Sequence, residues 1–172
     1  MIILIEGVDH TGKTTIANYI HNITNFPIYR SIHQKDRTIN LEEASKHDWR
    51  FYLDIASQSE QNIVFDRSFI SQYVYSSIFR KENILNQFKD FSIYKKQFIK
   101  YCEILQRIQY KVIYCTRKNF IYEVDDYIDM NYANILQDEF SNFFKIINFQ
   151  NFIEIKYEDG IEYNYNQIRE FI

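Results

Sequence analysis

Nine consecutive residues near the N-terminus have the types and spacing to do chemistry together. They read Gly7-Val8-Asp9-His10-Thr11-Gly12-Lys13-Thr14-Thr15, a complete G-x-x-x-x-G-K-[ST] phosphate loop. Such a loop turns backbone N–H groups toward a polyphosphate, and the helix that follows adds partial positive charge at its N-terminus. Lys13 then reaches the outer phosphates, and the Thr14 hydroxyl binds Mg²⁺. Two of the chain's three glycines fall in this loop. The apolar run Ile2-Ile3-Leu4-Ile5, closed by Glu6, precedes it. That order, strand then glycine turn then helix, is what the chemistry requires, so residues 7–15 form the expected ATP site.

Other residues join this site only if the fold brings them there. Asp66 ends the apolar run Ile63-Val64-Phe65, a position suited to an acid that holds Mg²⁺ or its waters. Arg67 follows and can grip a phosphate with two parallel hydrogen bonds, which a lysine cannot. Asp9 lies within the loop, where triphosphate would repel it. It either takes a hydroxyl of a second substrate or braces the loop. Arg117 and Lys118 follow another apolar run and are read as nucleotide contacts or as a solvated basic turn. Arg30 opens a polar stretch that reaches Arg37. Trp49, Arg50 and Phe51 present either a ring and a cation to a substrate or an aromatic stripe to the core.

The elements that must position these residues are read from periodicity. Ile2–Glu6, Pro27–Tyr29, Asn62–Asp66, Val112–Cys115 and Phe152–Ile155 read as strands, mostly short and apolar. Helices are expected at about 12–22, 41–58, 69–79, 93–109, 132–147 and 165–172. In the first of them Ile16, Tyr19, Ile20 and Ile23 share a face. In the helix at 93–109 the stripe is Tyr94, Phe98, Tyr101, Leu105 and Ile108; in the one at 132–147 it is Tyr132, Leu136, Phe140, Phe143 and Ile147. Apolar strands alternating with helices imply a five-stranded parallel sheet covered on both faces, a three-layer α/β/α fold of the P-loop NTPase type. Ligands collect at the C-terminal ends of such strands, which would gather the loop, Arg30, Asp66, Arg67 and Arg117 on one rim.

Bulk properties narrow the function classes. The 172 residues suit a single domain, and 46% hydrophobic with 18% aromatic content excludes a disordered chain. Net charge is −3 and the pI about 5.8, so no global basic field argues for nucleic acid. Cys102 and Cys115 are too far apart for a CxxC site and read as buried reduced thiols. The four histidines show no metal-ligand spacing. The N-terminus, running straight into Ile2–Ile5 and the loop, does not read as a signal peptide, no run approaches membrane length, and a cytoplasmic setting is the default expectation.

Two stretches carry a resemblance to a known family. Ile5-Glu6-Gly7-Val8-Asp9, followed by Gly12-Lys13-Thr14-Thr15, resembles the opening of thymidylate kinases, in which E-G-x-D precedes G-K-T-T. Asp66-Arg67-Ser68 with Ser71 resembles the D-R-Y-x-x-S element of that family and the E-R-S element of deoxynucleoside kinases. The resemblance implies that Asp9 contacts a deoxyribose 3′-hydroxyl and that Arg67 holds the acceptor phosphate. It also makes Arg30 a further phosphate ligand, puts Trp49 or Phe51 with Arg50 at the base, and suggests a homodimer. The chain departs from the family in two places. Ser68 replaces the tyrosine, and the lid region at about 117–131 lacks the family's arginines. From Asn119 to Phe144 there is no Lys or Arg, whereas Glu123, Asp125, Asp126, Asp129, Asp138 and Glu139 are acidic.

Four activities compete. A nucleoside kinase needs a general base near a 5′-hydroxyl, and deoxynucleoside kinases keep a glutamate just after the second strand. Here Tyr29-Arg30-Ser31-Ile32-His33 carries no acid until Asp36. A nucleoside monophosphate kinase attacks with an oxygen that is already anionic and needs cations instead, which this sequence offers. ATP with Mg²⁺ and a small nucleotide are therefore the expected ligands. A kinase acting on nucleic acid ends or bases and a nucleotide-binding module without turnover are the remaining readings. The acidic pI argues against the first, and the presence of Arg67 against the second.

Overall fold

The computed structural model describes residues 1–30, 62–79, 91–118, 120 and 132–172. Trp49, Arg50 and Phe51, the expected helix at 41–58 and most of the lid region lie outside the described residues.

The chain order is β1 (Ile2–Glu6), α1 (Lys13–Thr24), β2 (Ile28–Arg30), β3 (Ile63–Asp66), α2 (Phe69–Phe79), α3 (Phe91–Leu105), β4 (Tyr110–Thr116), α4 (Ala133–Ile147), β5 (Phe152–Lys156) and α5 (Ile161–Phe171). A short 3₁₀ turn, Tyr157–Asp159, joins β5 to α5. The strands form one five-stranded parallel sheet in the order β2-β3-β1-β4-β5. Strand β1 is central, paired to β3 on one side and β4 on the other. The order reverses beside it, which opens a crevice at the C-terminal ends of the strands.

Side chains alternate along each strand and so divide between two cores. Ile2, Leu4, Phe65 and Val112 face α2, α3 and α4, where Val74, Phe98, Leu136 and Phe140 are buried. Tyr73 and Phe98 stack in that core with centroids 4.0 Å apart. Ile3, Ile5, Val64, Ile113 and Ile155 face Ile16, Ala17 and Ile20 of α1 and Ile168 of α5. On this side the Tyr19 and Tyr165 rings stack at 3.7 Å and tie the first helix to the last. Both faces of the sheet are thus covered, as strands apolar on both sides require.

Several element boundaries differ from the sequence reading. Helix α3 ends at Leu105 and not near Gln109, so Ile108 packs from a turn. Ile23 is 41% exposed, because α1 rotates it away from the face that buries Ile16 and Ile20. Tyr132 is likewise 41% exposed; it sits at the N-cap of α4, outside the buried stripe. Helix α5 begins four residues earlier than expected, at Ile161, directly after Gly160. Gly160 has φ 88°, which ends the 3₁₀ turn and starts the helix.

Candidate active site

Strand β1 delivers the chain to the loop at Gly7, where an ordinary side chain would not fit. A Cβ there would lie 2.2 Å from the Cys115 carbonyl oxygen, and φ is 138°. The loop therefore rises directly against β4. Within it the Thr11 hydroxyl donates to the Val8 carbonyl at 2.8 Å. The Lys13 ammonium donates to the same carbonyl. These two bonds hold residues 8–13 in a closed turn, with the lysine buried and folded back over it. Burial, with Arg67 nearby, lowers the Lys13 pKa to about 8. His10 holds a left-handed φ of 62°, and Gly12 one of 83°. No side chain caps α1 at Gly12. The first N–H groups of a helix have no acceptor within it, so this end is suited to an anion.

The rim on the β3 side holds the second group. Arg67 also adopts a left-handed φ, 71°, and its N–H donates to the Ile5 carbonyl at 3.0 Å. Its guanidinium pairs with the Asp9 carboxylate. The second Asp9 oxygen accepts the Tyr75 hydroxyl at 2.9 Å, and the Arg67 guanidinium lies 5.0 Å from the Tyr75 ring. Asp9 thus turns away from Lys13's loop interior toward Arg67. Burial works against the Arg67 charge, but Tyr75 and Asp9 outweigh it and its pKa stays raised.

Thr14 and Asp66, placed together on sequence grounds as metal ligands, are in contact. The Thr14 hydroxyl donates to Asp66 Oδ2 at 2.7 Å. A hydroxyl and a carboxylate oxygen form a hard donor pair, as Mg²⁺ prefers when phosphates and waters complete its shell. Among the described residues no cluster of three or more His, Cys, Asp or Glu could hold a metal alone. Thr14 and Asp66 thus fit a cation whose shell a phosphate ligand and waters complete. Arg30 Nε lies 3.8 Å from the same Asp66 oxygen, and its guanidinium donates to Asn18 at 3.1 Å. It is more than half exposed and reaches the rim from β2, whose Arg30 pairs in register with Asp66.

Arg117 closes the opposite side. Its guanidinium donates to the His10 carbonyl at 3.0 Å and lies 4.3 Å over the Tyr157 ring. The Gln137 side chain of α4 accepts the Arg117 N–H at 2.9 Å and donates to its carbonyl at 3.1 Å. Lys118 N–H donates to Glu158 at 2.6 Å, linking the ends of β4 and β5. Tyr157 lies 3.5 Å from where a Gly12 Cβ would stand. Beside it a cavity of about 360 Å³ runs between α1 and α5, lined by Thr15, Tyr157 and Asn164 among others.

The fold therefore brings together Gly7–Thr15, Arg30, Asp66, Arg67 and Arg117. Trp49, Arg50 and Phe51 fall outside the described residues. Sequence reasoning missed Tyr75, Gln137 and Tyr157, which lie near the site as partners of Asp9, Arg117 and Gly12. Tyr75 stands two turns along α2 from Ser68, and that spacing was the available signal. Ser68 caps α2, accepting the Ile70 N–H at 3.2 Å.

No protein-family model matches the chain, and no curated protein matches it. Solved structures do. Deoxyadenosine kinase from M. mycoides with bound dATP superimposes with a TM-score of 0.69 at 17% identity, covering 99% of this chain and 98% of that one. The YorR protein from Bacillus subtilis, in complex with phosphorylated GDP, gives 0.67 at 16% identity, with 99% and 94% covered. Thymidylate kinase from Candida albicans gives 0.64 at 17% identity, with 99% and 90% covered. The chain shares the α/β fold of these solved deoxyadenosine and thymidylate kinase structures, with its five-stranded parallel sheet in the order 2-3-1-4-5.

Proposed function

We propose that the protein is a nucleoside monophosphate kinase, thymidylate kinase-like, that transfers the γ-phosphate of ATP to a deoxynucleoside monophosphate. One observation carries this reading. A buried arginine, Arg67, is anchored by Asp9 beside a complete phosphate loop, so two cationic centres, Lys13 and Arg67, flank the same turn. Two anionic substrates need such a pair, because transfer between them is limited by charge repulsion and alignment.

Each residue then has a role. Backbone amides of residues 7–15 bind the ATP phosphates, with Lys13 on the outer ones. Thr14 and Asp66 hold Mg²⁺, which supplies charge neutralisation on the phosphates. Arg67 grips the acceptor phosphate, and Arg30 adds a second cation from β2. Asp9, held by Arg67 and Tyr75, receives the sugar hydroxyl of the acceptor. Tyr157, with Arg117 against its ring, lines the cavity near Gly12, whose volume is in the range of small-ligand sites and suits the nucleoside part of ATP. No general base is required, since the attacking phosphate oxygen is already ionised. Residues 1–172 act as one kinase domain.

A deoxynucleoside kinase is the second reading. Ser68 favours it, since it matches the serine of the E-R-S element and not the tyrosine of D-R-Y. Purified protein with Mg·ATP and a panel of deoxynucleosides, deoxynucleotides and short oligonucleotides separates the readings. The expected product is a deoxynucleoside diphosphate, formed by wild type and not by Lys13→Ala. Arg67→Ala should reduce turnover more than ATP affinity. Product from nucleosides alone would transfer the assignment to the second reading. ATP binding with no acceptor phosphorylated would leave a module without turnover.

A further inference from the structure

Among the described residues, one buried carboxylate has no role in the proposed reaction. Glu6 closes β1 one residue before the phosphate loop and has no solvent exposure. Carboxylates rarely reach such burial unless they are paired. Its two oxygens are held separately: Oε1 accepts the Ser68 hydroxyl, and Oε2 accepts the Ser71 hydroxyl. Both serines belong to the β3–α2 junction, on either side of which the chain is tied to the end of β1. Arg67, just before Ser68, donates its N–H to the Ile5 carbonyl at 3.0 Å. Its guanidinium donates to the Gly7 carbonyl at 3.4 Å. Ile5, Glu6 and Gly7 thus hold Arg67 and its neighbour in sequence.

The junction needs such restraint. Arg67 has a φ of 71°, a conformation that side-chain-bearing residues adopt only when their surroundings over-determine it. The opposite charges of Glu6 and Arg67 also stabilise each other.

We infer that Glu6 is a positioning residue for Arg67: its carboxylate, gripping Ser68 and Ser71, locks the β3–α2 junction so that the guanidinium faces the acceptor phosphate. The inference rests on the reading of Arg67 as the acceptor's ligand. It is supported by the energetics of the group. Burial pushes the Glu6 pKa up to about 6, so its ionised form works against folding. A neutral side chain of the same shape would fill the space without that burden. The charge is therefore the part that calls for a function.

Glu6→Gln tests this, because glutamine keeps the volume but removes the charge and turns one of the two serine-accepting oxygens into an N–H₂ donor. Steady-state kinetics with Mg·ATP and dTMP, or the best acceptor from the panel, are measured beside melting temperature. The acceptor KM is expected to rise about tenfold, the Mg·ATP KM to stay within about twofold, and the melting temperature near neutral pH to hold or rise. The Nε–H resonance of Arg67, assigned by its loss in Arg67→Lys, needs no turnover and is expected to shift or broaden. An unchanged acceptor KM with an unmoved Arg67 resonance overturns the inference. A lower melting temperature with equal loss of affinity for both substrates also overturns it, by assigning Glu6 a purely structural role. If wild type phosphorylates nothing, the acceptor reading of Arg67 fails. The Arg67 resonance still decides whether Glu6 positions it.

Discussion

The Arg67 guanidinium and the Asp9 carboxylate form an ion pair across 58 residues of sequence, joining the β3–α2 junction to the phosphate loop. Arg67 is 8% exposed and Asp9 29%, so solvent screens the pair only in part. Removing one partner leaves the other with an uncompensated charge, whose burial is unfavourable. Asp9→Ala is expected to lose about 1–3 kcal/mol of stability in urea denaturation and to raise the acceptor KM. Asp9→Asn, which keeps a polar partner for Tyr75, should lose less.

Lys13 contributes charge where the fold makes charge expensive. Its ammonium is buried and hydrogen-bonded to the loop's own Val8 carbonyl. Lys13→Ala should leave the fold intact, since it removes a group whose ionised form burial disfavours. Phosphoryl transfer should nevertheless fall about a hundredfold or more. Circular dichroism together with the transfer assay checks both halves of the expectation.

The two loop glycines are expected to differ sharply in tolerance. Gly7→Ala places a Cβ 2.2 Å from the Cys115 carbonyl oxygen, a backbone atom that cannot step aside cheaply. Gly12→Ala meets only the edge of the Tyr157 ring at 3.5 Å, ordinary contact, and bears the left-handed φ alone. That conformation costs about 1–2 kcal/mol. Gly7→Ala should exceed about 3 kcal/mol and lower expression as well as melting temperature. Thermal melts of the two variants side by side are the check.

Glu6 gives stability a pH dependence whose sign is fixed. Its pKa rises from 4.5 in the unfolded chain to about 6 in the folded one, chiefly through burial. The folded state therefore binds the proton more tightly. This contribution is fully present below about pH 4.5 and is lost as pH rises through 6, a decline of about 2 kcal/mol. Denaturant titrations of wild type and Glu6→Gln across this range should differ by that slope and run parallel above it.

How much was legible in advance depended on the range of each signal. The turn at residues 7–15 was readable because its residues are contiguous and it stands between an apolar strand and a helix. Strands β1, β3 and β4 were readable because parallel strands covered on both faces must be continuously apolar. Ends of helices were less so. Leu105 and Ile161 terminate theirs through turn geometry, which the stripe of apolar residues does not encode. The roles of Tyr75, Gln137 and Tyr157 were hidden for a different reason. Each acts through contacts with residues distant in sequence, and a tyrosine or glutamine on a helix or in a short turn looks the same whether or not it makes them. Ser68 and Ser71 were noticed as a motif, but their shared attachment to Glu6 appears only when β1 and β3 are laid side by side.

The central place of β1 has a kinetic consequence. Amide hydrogens of Ile3, Leu4 and Ile5 sit between two neighbouring strands and beneath helices on both faces, so they should be among the last to exchange with deuterium. The proposed phosphate loop is thus rooted in what should be the least yielding strand. Any rearrangement that the proposed reaction demands is then expected from the periphery, with residues 7–15 staying anchored.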